Sequence, residues 1–118
     1  MAISVLLVDD DPSFLALATR VLQEMGAEVT ATAPDAGAAI EAANETKPDA
    51  ALVDVWLPDR DGIDLGYALA ALPWAPRVVL MSTDKDVASS IPRDGRTTLP
   101  FVPKEELASG RLRRLLLS

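Results

Sequence analysis

Val5-Leu6-Leu7-Val8-Asp9-Asp10-Asp11-Pro12 is the stretch on which the reading of the whole chain turns. Its four apolar residues, two of them β-branched, make the kind of run shown by a strand buried on both faces. Three carboxylates and a proline come directly after it. Asp11 and Pro12 suit the cap and first turn of a helix: a cap carboxylate accepts an orphan amide, and proline has no amide to leave unpaired. The strand therefore passes straight into a helix with Asp9 and Asp10 at the junction. That order begins a crossover, and crossovers are what parallel strands require.

The alternation continues outward. Leu15, Ala18, Leu22 and Met25 keep helical spacing on one face, and Gly26 ends that helix. Glu28–Ala31 reads as a weaker second strand. Pro34 and Asp35 open a second helix with Ala36, Ala39, Ile40 and Ala43 on its inner face, closed by Lys47-Pro48. Ala50–Val55 is the third strand. Asp61-Gly62 leads into a third helix through Leu65, Leu69 and Leu72, stopped by Pro73. Arg77–Met81 is the fourth strand. Asp84–Ser90 supplies about two helical turns, but Pro92 and Gly95 break any continuation, so the fourth helix is expected to be short or irregular. Leu99–Val102 is a last strand. Glu105–Leu117 is a final helix with Leu112, Leu115 and Leu116 inward and Arg111, Arg113 and Arg114 toward its carboxyl end. Five strands alternating with five helices imply an α/β domain whose parallel sheet is covered on both faces.

Length and composition agree with that frame. The 118 residues suit one domain, here 1–118, without internal repeat or linker. With 49% apolar and 25% charged residues the chain can build a core. No run reaches the roughly 18 apolar residues of a membrane span, and no secretory signal comes after Met1. Eleven basic against 18 acidic side chains leave a net charge of −7, which repels phosphate backbones and argues against direct nucleic-acid binding. There is no cysteine, which is compatible with the cytoplasm and excludes disulfides and thiolate chemistry. There is no histidine, which excludes a Ser-His-Asp triad and the common zinc sites. Any metal must be a hard ion held by oxygen: magnesium, calcium or manganese.

The polar residues fall where the frame makes them meet. Asp9 and Asp10 come after strand one, Asp54 ends strand three, Ser82 and Thr83 end strand four, and Lys104 lies just past strand five. All belong to the carboxyl rim, where open α/β sheets bind ligands. Singly, each has an ordinary explanation: Asp10 or Asp11 as a helix cap, Asp54 as a turn residue, Ser82 and Thr83 as strand-end hydroxyls, Lys104 as a solvated lysine. Those explanations are independent of one another, whereas the coincidence of four strand ends is not. Three carboxylates at one point repel, and a divalent cation removes the conflict. A remaining carboxylate could act as nucleophile, while a hydroxyl and an ammonium hold the oxygens of a transferring phosphoryl group.

These residues resemble the receiver domain of two-component response regulators. The resemblance rests on Val5–Pro12, on Leu52-Val53-Asp54-Val55-Trp56-Leu57-Pro58, on Asp61-Gly62, on Val79-Leu80-Met81-Ser82 and on Phe101-Val102-Pro103-Lys104. It implies a flavodoxin-like three-layer sandwich with strand order 2-1-3-4-5. It implies Asp54 as phosphoacceptor from a histidine kinase or phosphotransfer protein, with self-dephosphorylation afterwards. Asp9, Asp10, Asp54 and the Trp56 carbonyl would hold Mg2+, or Mn2+ in its place. Ser82 and Lys104 would bond the phosphoryl oxygens, and Phe101 would be the ring that changes rotamer on activation. Three features depart from the family pattern. Thr83 stands where a small residue is usual and should crowd the phosphoryl site. Glu105 comes after the lysine where proline is common. The fourth helix, part of the family's output face, is broken. No output domain is visible, so the chain is read as a stand-alone receiver or the amino-terminal piece of a longer protein. Downstream partner and oligomeric state stay open.

Two other readings compete. Asp9-Asp10-Asp11-Pro12-Ser13 also fits the nucleophile pattern of haloacid-dehalogenase-type phosphatases, with Asp9 attacking, but the chain has no later acidic pair or cap insertion and Asp54 goes unexplained. A pseudo-receiver that binds partners without phosphorylation would be expected to have lost chemical residues that are all present here.

Overall fold

In the computed structural model, residues 2–84 and 99–117 are described. They form β1 (Ser4–Val8), α1 (Pro12–Glu24), β2 (Glu28–Ala33), α2 (Ala36–Thr46), β3 (Ala50–Asp54), α3 (Gly62–Ala70), β4 (Arg77–Ser82), β5 (Phe101–Pro103) and α4 (Gly110–Leu117). The strands make one parallel sheet in the order β2-β1-β3-β4-β5. The helical turns expected over Asp84–Ser90, and Pro92 and Gly95 after them, fall outside the described residues beyond Asp84.

Period-two alternation sorts the strand side chains onto two cores. Leu6, Val8, Ala51, Val53, Leu80 and Phe101 pack against α2 and α3. Val5, Leu7, Leu52, Val79, Met81 and Val102 pack against α1 and α4. Leu22, Leu112 and Leu116 are fully buried on the second side, each such leucine contributing about 1.5–3 kcal/mol by leaving water. Both faces of the sheet are therefore spent on packing, and only its rims are left for chemistry.

Local chemistry sets the helix ends. Asp11 caps α1 by accepting from the Ser13 amide at 2.9 Å, with Pro12 in the first turn, and Gly26 leaves the helix at φ +94°. Asp35 caps α2, and Lys47 ends it in the left-handed region.

Several expectations need correction. The final helix does not begin at Glu105: a 3-10 turn occupies Lys104–Glu106, and α4 begins at Gly110, where the Ser109 hydroxyl accepts from the Leu112 amide. That hydroxyl supplies a cap which the interior of one long helix would leave unused. Ile40 is exposed, because the alanine face of α2 (Ala36, Ala39, Ala43) already packs flush on the sheet. β5 starts at Phe101 rather than Leu99, and β2 runs on to Ala33, paired to Val8. Leu115 is only half-buried beside the fully buried Leu116, since adjacent helical residues cannot share one face.

Candidate functional site

β1 and β3 lie side by side, with Val8 paired to Val53, so the residues just beyond them emerge together. Asp9 is 1% exposed and Asp54 is 6% exposed, while Asp10 stands out in solvent. One carboxylate oxygen from each of Asp9, Asp10 and Asp54 lies within 4.8 Å of the others. From the far end of the sheet, β5 and its 3-10 turn deliver Lys104. Its Nζ is 2.5 Å from Asp9 Oδ2 and 3.6 Å from Asp54 Oδ2.

The hydrogen bonds show what is satisfied. Asp9 Oδ1 accepts from the Asp11 amide at 2.9 Å. Asp9 Oδ2 accepts no well-aligned hydrogen bond, and the Lys104 ammonium is its charge contact. Asp54 Oδ1 accepts from the Trp56 amide at a long 3.2 Å. Burial is the main reason the Asp54 carboxyl rises from 3.8 to about 6. Asp9 and Asp10 push the same way, while Lys104 and the Trp56 amide oppose them. Oxygen ligands only, crowded and short of positive charge, are a donor set that fits a hard divalent cation.

The other expected residues take different positions. Ser82 is fully buried next to the Asp54 partner Met81, and its Oγ accepts from the Asp84 amide at 3.0 Å. Thr83 is exposed beside it. The Phe101 ring is buried in the α2–α3 core, and its carbonyl accepts from Arg111 at 2.7 Å. The Trp56 indole is 63% exposed at the rim, and its backbone bridges to Asp61.

Three residues matter more than sequence patterns suggest. Gly62 starts α3 so close to β3 that a Cβ there would lie 2.0 Å from the Asp54 carbonyl and 2.7 Å from Val55 Cα. Only glycine permits that approach; its place in Asp61-Gly62 was the signal. Asp59 reaches across to the amides of Ala36 and Gly37, at 2.9 and 3.1 Å, and so ties the β3–α3 loop to the start of α2. Those two hydrogen bonds hold the Asp59 carboxyl below the usual range. Phe14 stacks beneath Lys104. Neither Asp59 nor Phe14 left a periodic trace.

The sequence profile of the response regulator receiver domain matches residues 5–94. Over 92% of its length the chain is 39% identical to the DNA-binding response regulator MtrA of Mycolicibacterium smegmatis. This chain belongs to the response regulator receiver family. A second relative, the probable transcriptional regulatory protein TcrX of Mycobacterium tuberculosis, is 36% identical over 97% of the chain. The receiver spans about half the length of these curated relatives, 49% and 50%. The signal receiver domain of the putative response regulator NarL from M. tuberculosis superposes with a TM-score of 0.76 at 26% identity, over 97% of this chain and 96% of that one. The chemotaxis protein CheY4 of Vibrio cholerae, at 24% identity, shares the fold with a TM-score of 0.81 over 98% of this chain and 100% of that one.

The receiver is thus a signalling domain of two-component systems, a family that works with histidine kinases and generally uses Mg2+. The phosphatase and pseudo-receiver readings are not favoured. Asp9, the phosphatase nucleophile, is buried, with Oδ1 held by the Asp11 amide and Oδ2 ion-paired to Lys104. The exclusion of nucleic acid needs correction: relatives carry DNA binding in their names, and a net charge of −7 speaks only for this chain, about half their length. Among the described residues no helix is long and apolar enough to cross a membrane.

Proposed function

We propose that Asp54 accepts a phosphoryl group from a histidine kinase or phosphotransfer protein, and that residues 1–118 form one receiver domain acting in the cytoplasm. The observation that carries this reading is Asp54 itself, a buried strand-end carboxylate facing two further acids and the Lys104 ammonium. An Asp54 oxygen attacks phosphorus. The bond from phosphorus to the donor breaks, and its electron pair leaves with the donor, which takes up a proton. Water later attacks phosphorus, the bond from phosphorus to the Asp54 oxygen breaks, and inorganic phosphate leaves the restored carboxylate. Lys104 and the Ser82 hydroxyl hold the phosphoryl oxygens, and the buried Phe101 ring is the element whose rotamer responds. Exposed Thr83 stands at the entrance and slows water and bulky donors.

Asp9, Asp10, Asp54 and the Trp56 carbonyl would hold Mg2+, or Mn2+. The ion would supply the positive charge that crowded carboxylates and an incoming phosphoryl group both lack. Its binding is expected to add about 1.4 kcal/mol of stability at tenfold the dissociation constant, a rise of about 5 °C in Tm for a domain of this size.

The decisive experiment is intact mass after incubation with acetyl phosphate, with and without Mg2+, for wild type and Asp54→Asn. A single Mg2+-dependent phosphoryl adduct that the substitution abolishes is the expected result. An adduct that survives Asp54→Asn moves the acceptor to another acid. No adduct in wild type, with Tm indifferent to millimolar Mg2+, refutes the phosphoacceptor reading.

A further inference from the structure

Lys104 meets more than carboxylates. Its Nζ lies 4.4 Å from the centre of the Phe14 ring, as well as near Asp9 and Asp54. Phe14 sits in the first turn of α1, half-buried against the core on that side. With Asp9 and Asp54 it lines a cavity of about 10 Å³, room for about one water. Neighbouring positions on this helix face, Leu15, Ala18 and Leu22, do their packing with aliphatic groups.

We infer that Phe14 is a positioning residue for Lys104: its ring face holds the ammonium over Asp54 while leaving N–H donors free for the phosphoryl oxygens. The inference rests on Asp54 being the phosphoacceptor. An ammonium has three N–H donors on a flexible four-carbon stem. The ion pairs with Asp9 and Asp54 draw its charge toward the carboxylates. A carboxylate in place of the ring would engage an N–H donor and pull the charge away from the incoming group. An aromatic face attracts the cation through its quadrupole and presents no lone pair. The ring thus restrains Lys104 and keeps it from swinging into water. With the Lys104 side chain only 13% exposed, the attraction is little screened.

Fluorination tests this, because fluorine drains electron density from the ring face while nearly preserving ring size. Full-length protein would carry mono-, di- and trifluorophenylalanine at position 14. The readout is the initial rate of Mg2+-dependent phosphorylation by acetyl phosphate. The rate should fall stepwise with fluorine count, by about three- to tenfold across the series, while Tm values stay together. Phe14→Leu should match the slowest member, and Phe14→Tyr should restore the wild-type rate. A flat series in a protein that is phosphorylated normally overturns the inference and leaves the phosphoacceptor reading intact. Loss of the adduct in wild type, or its survival in Asp54→Asn, defeats both. A second measurement needs no phosphorylation. The Lys104 ε-methylene protons should be ring-shifted upfield in the resting protein and lose that shift in Phe14→Leu. Unshifted protons in wild type overturn the placement.

Discussion

Asp49 precedes β3 at the amino rim and Asp54 ends it at the carboxyl rim, yet the two carboxylates live under opposite conditions. Asp49 accepts from the Ser4 amide at 2.9 Å and from the Ser4 hydroxyl at 3.1 Å, and its own amide donates back to the Ser4 carbonyl. Its surroundings are equally settled: the Trp74 indole donates to Pro48, and Arg77 donates to the Leu116 carbonyl near the end of α4. Asp54 has one long amide contact, two neighbouring acids and a share of one lysine. A cavity of 560 Å³, lined mostly by apolar side chains, also lies toward the amino rim, between Tyr67, Pro76, Leu99 and Leu115. Cavity size therefore does not mark the chemistry here. A charge whose neighbours leave it in conflict does, because an outside ligand gains most where the protein has satisfied least.

The harshest way to break this contrast is to push the carboxyl rim apart. Gly62→Ala places a methyl against the Asp54 carbonyl and Val55, and should cost about 3 kcal/mol or more in urea unfolding. Ala75→Gly at the amino rim should instead gain about 0.5 kcal/mol, since relief of left-handed strain exceeds the added chain entropy; Ala75 sits at φ +48°.

Titration sharpens the contrast. The folded Asp54 carboxyl, at about 6, lies above its ordinary 3.8, so the folded state keeps a proton that the unfolded chain releases. Stability therefore falls as pH rises from 3.8 to 6, and the full cost is present above 6. Without divalent ions, Asp54→Asn should be more stable than wild type by about 2 kcal/mol above that window. The gain should fade as pH falls through it. Asp49→Ala should do the reverse, losing about 1 kcal/mol with its hydrogen bonds. Destabilisation by Asp54→Asn above pH 6 would erase the distinction between the rims.

The mildest test concerns a satisfied acid beside the unsatisfied ones. Asp59→Ala should speed hydrogen exchange at the Ala36 and Gly37 amides and leave β-sheet amides unchanged. Because the folded Asp59 carboxyl titrates below its ordinary value, its contribution is present at neutral pH. The effect should disappear as pH drops through the folded value. Unaltered exchange at both amides would show that the loop is held by other means.

The Val5–Val8 run, the Asp11-Pro12 cap and the helical spacing of the leucines announced their elements, because each is a local pattern with a period and a stop. The gathering of Asp9, Asp10 and Asp54 on one rim was equally legible, since a parallel sheet sends every strand end the same way. The start of α4 is hidden in the sequence because Glu105, Glu106 and Leu107 are good helix formers, and only the Ser109 cap shows where the helix begins.

Strand order and register depend on which hydrophobic faces fit together across the chain, so no window of sequence contains them. The same holds for the contact of Lys104 with Phe14, between the end of β5 and α1, and for Asp59 bound to another helix's amides. Composition, by contrast, settled the kind of chemistry before any folding: without cysteine or histidine, the reactive groups could only be carboxylate, hydroxyl and ammonium. Which carboxylate is left unsatisfied depends on burial and on neighbours distant in the chain, and those exist only once the sheet has closed its core.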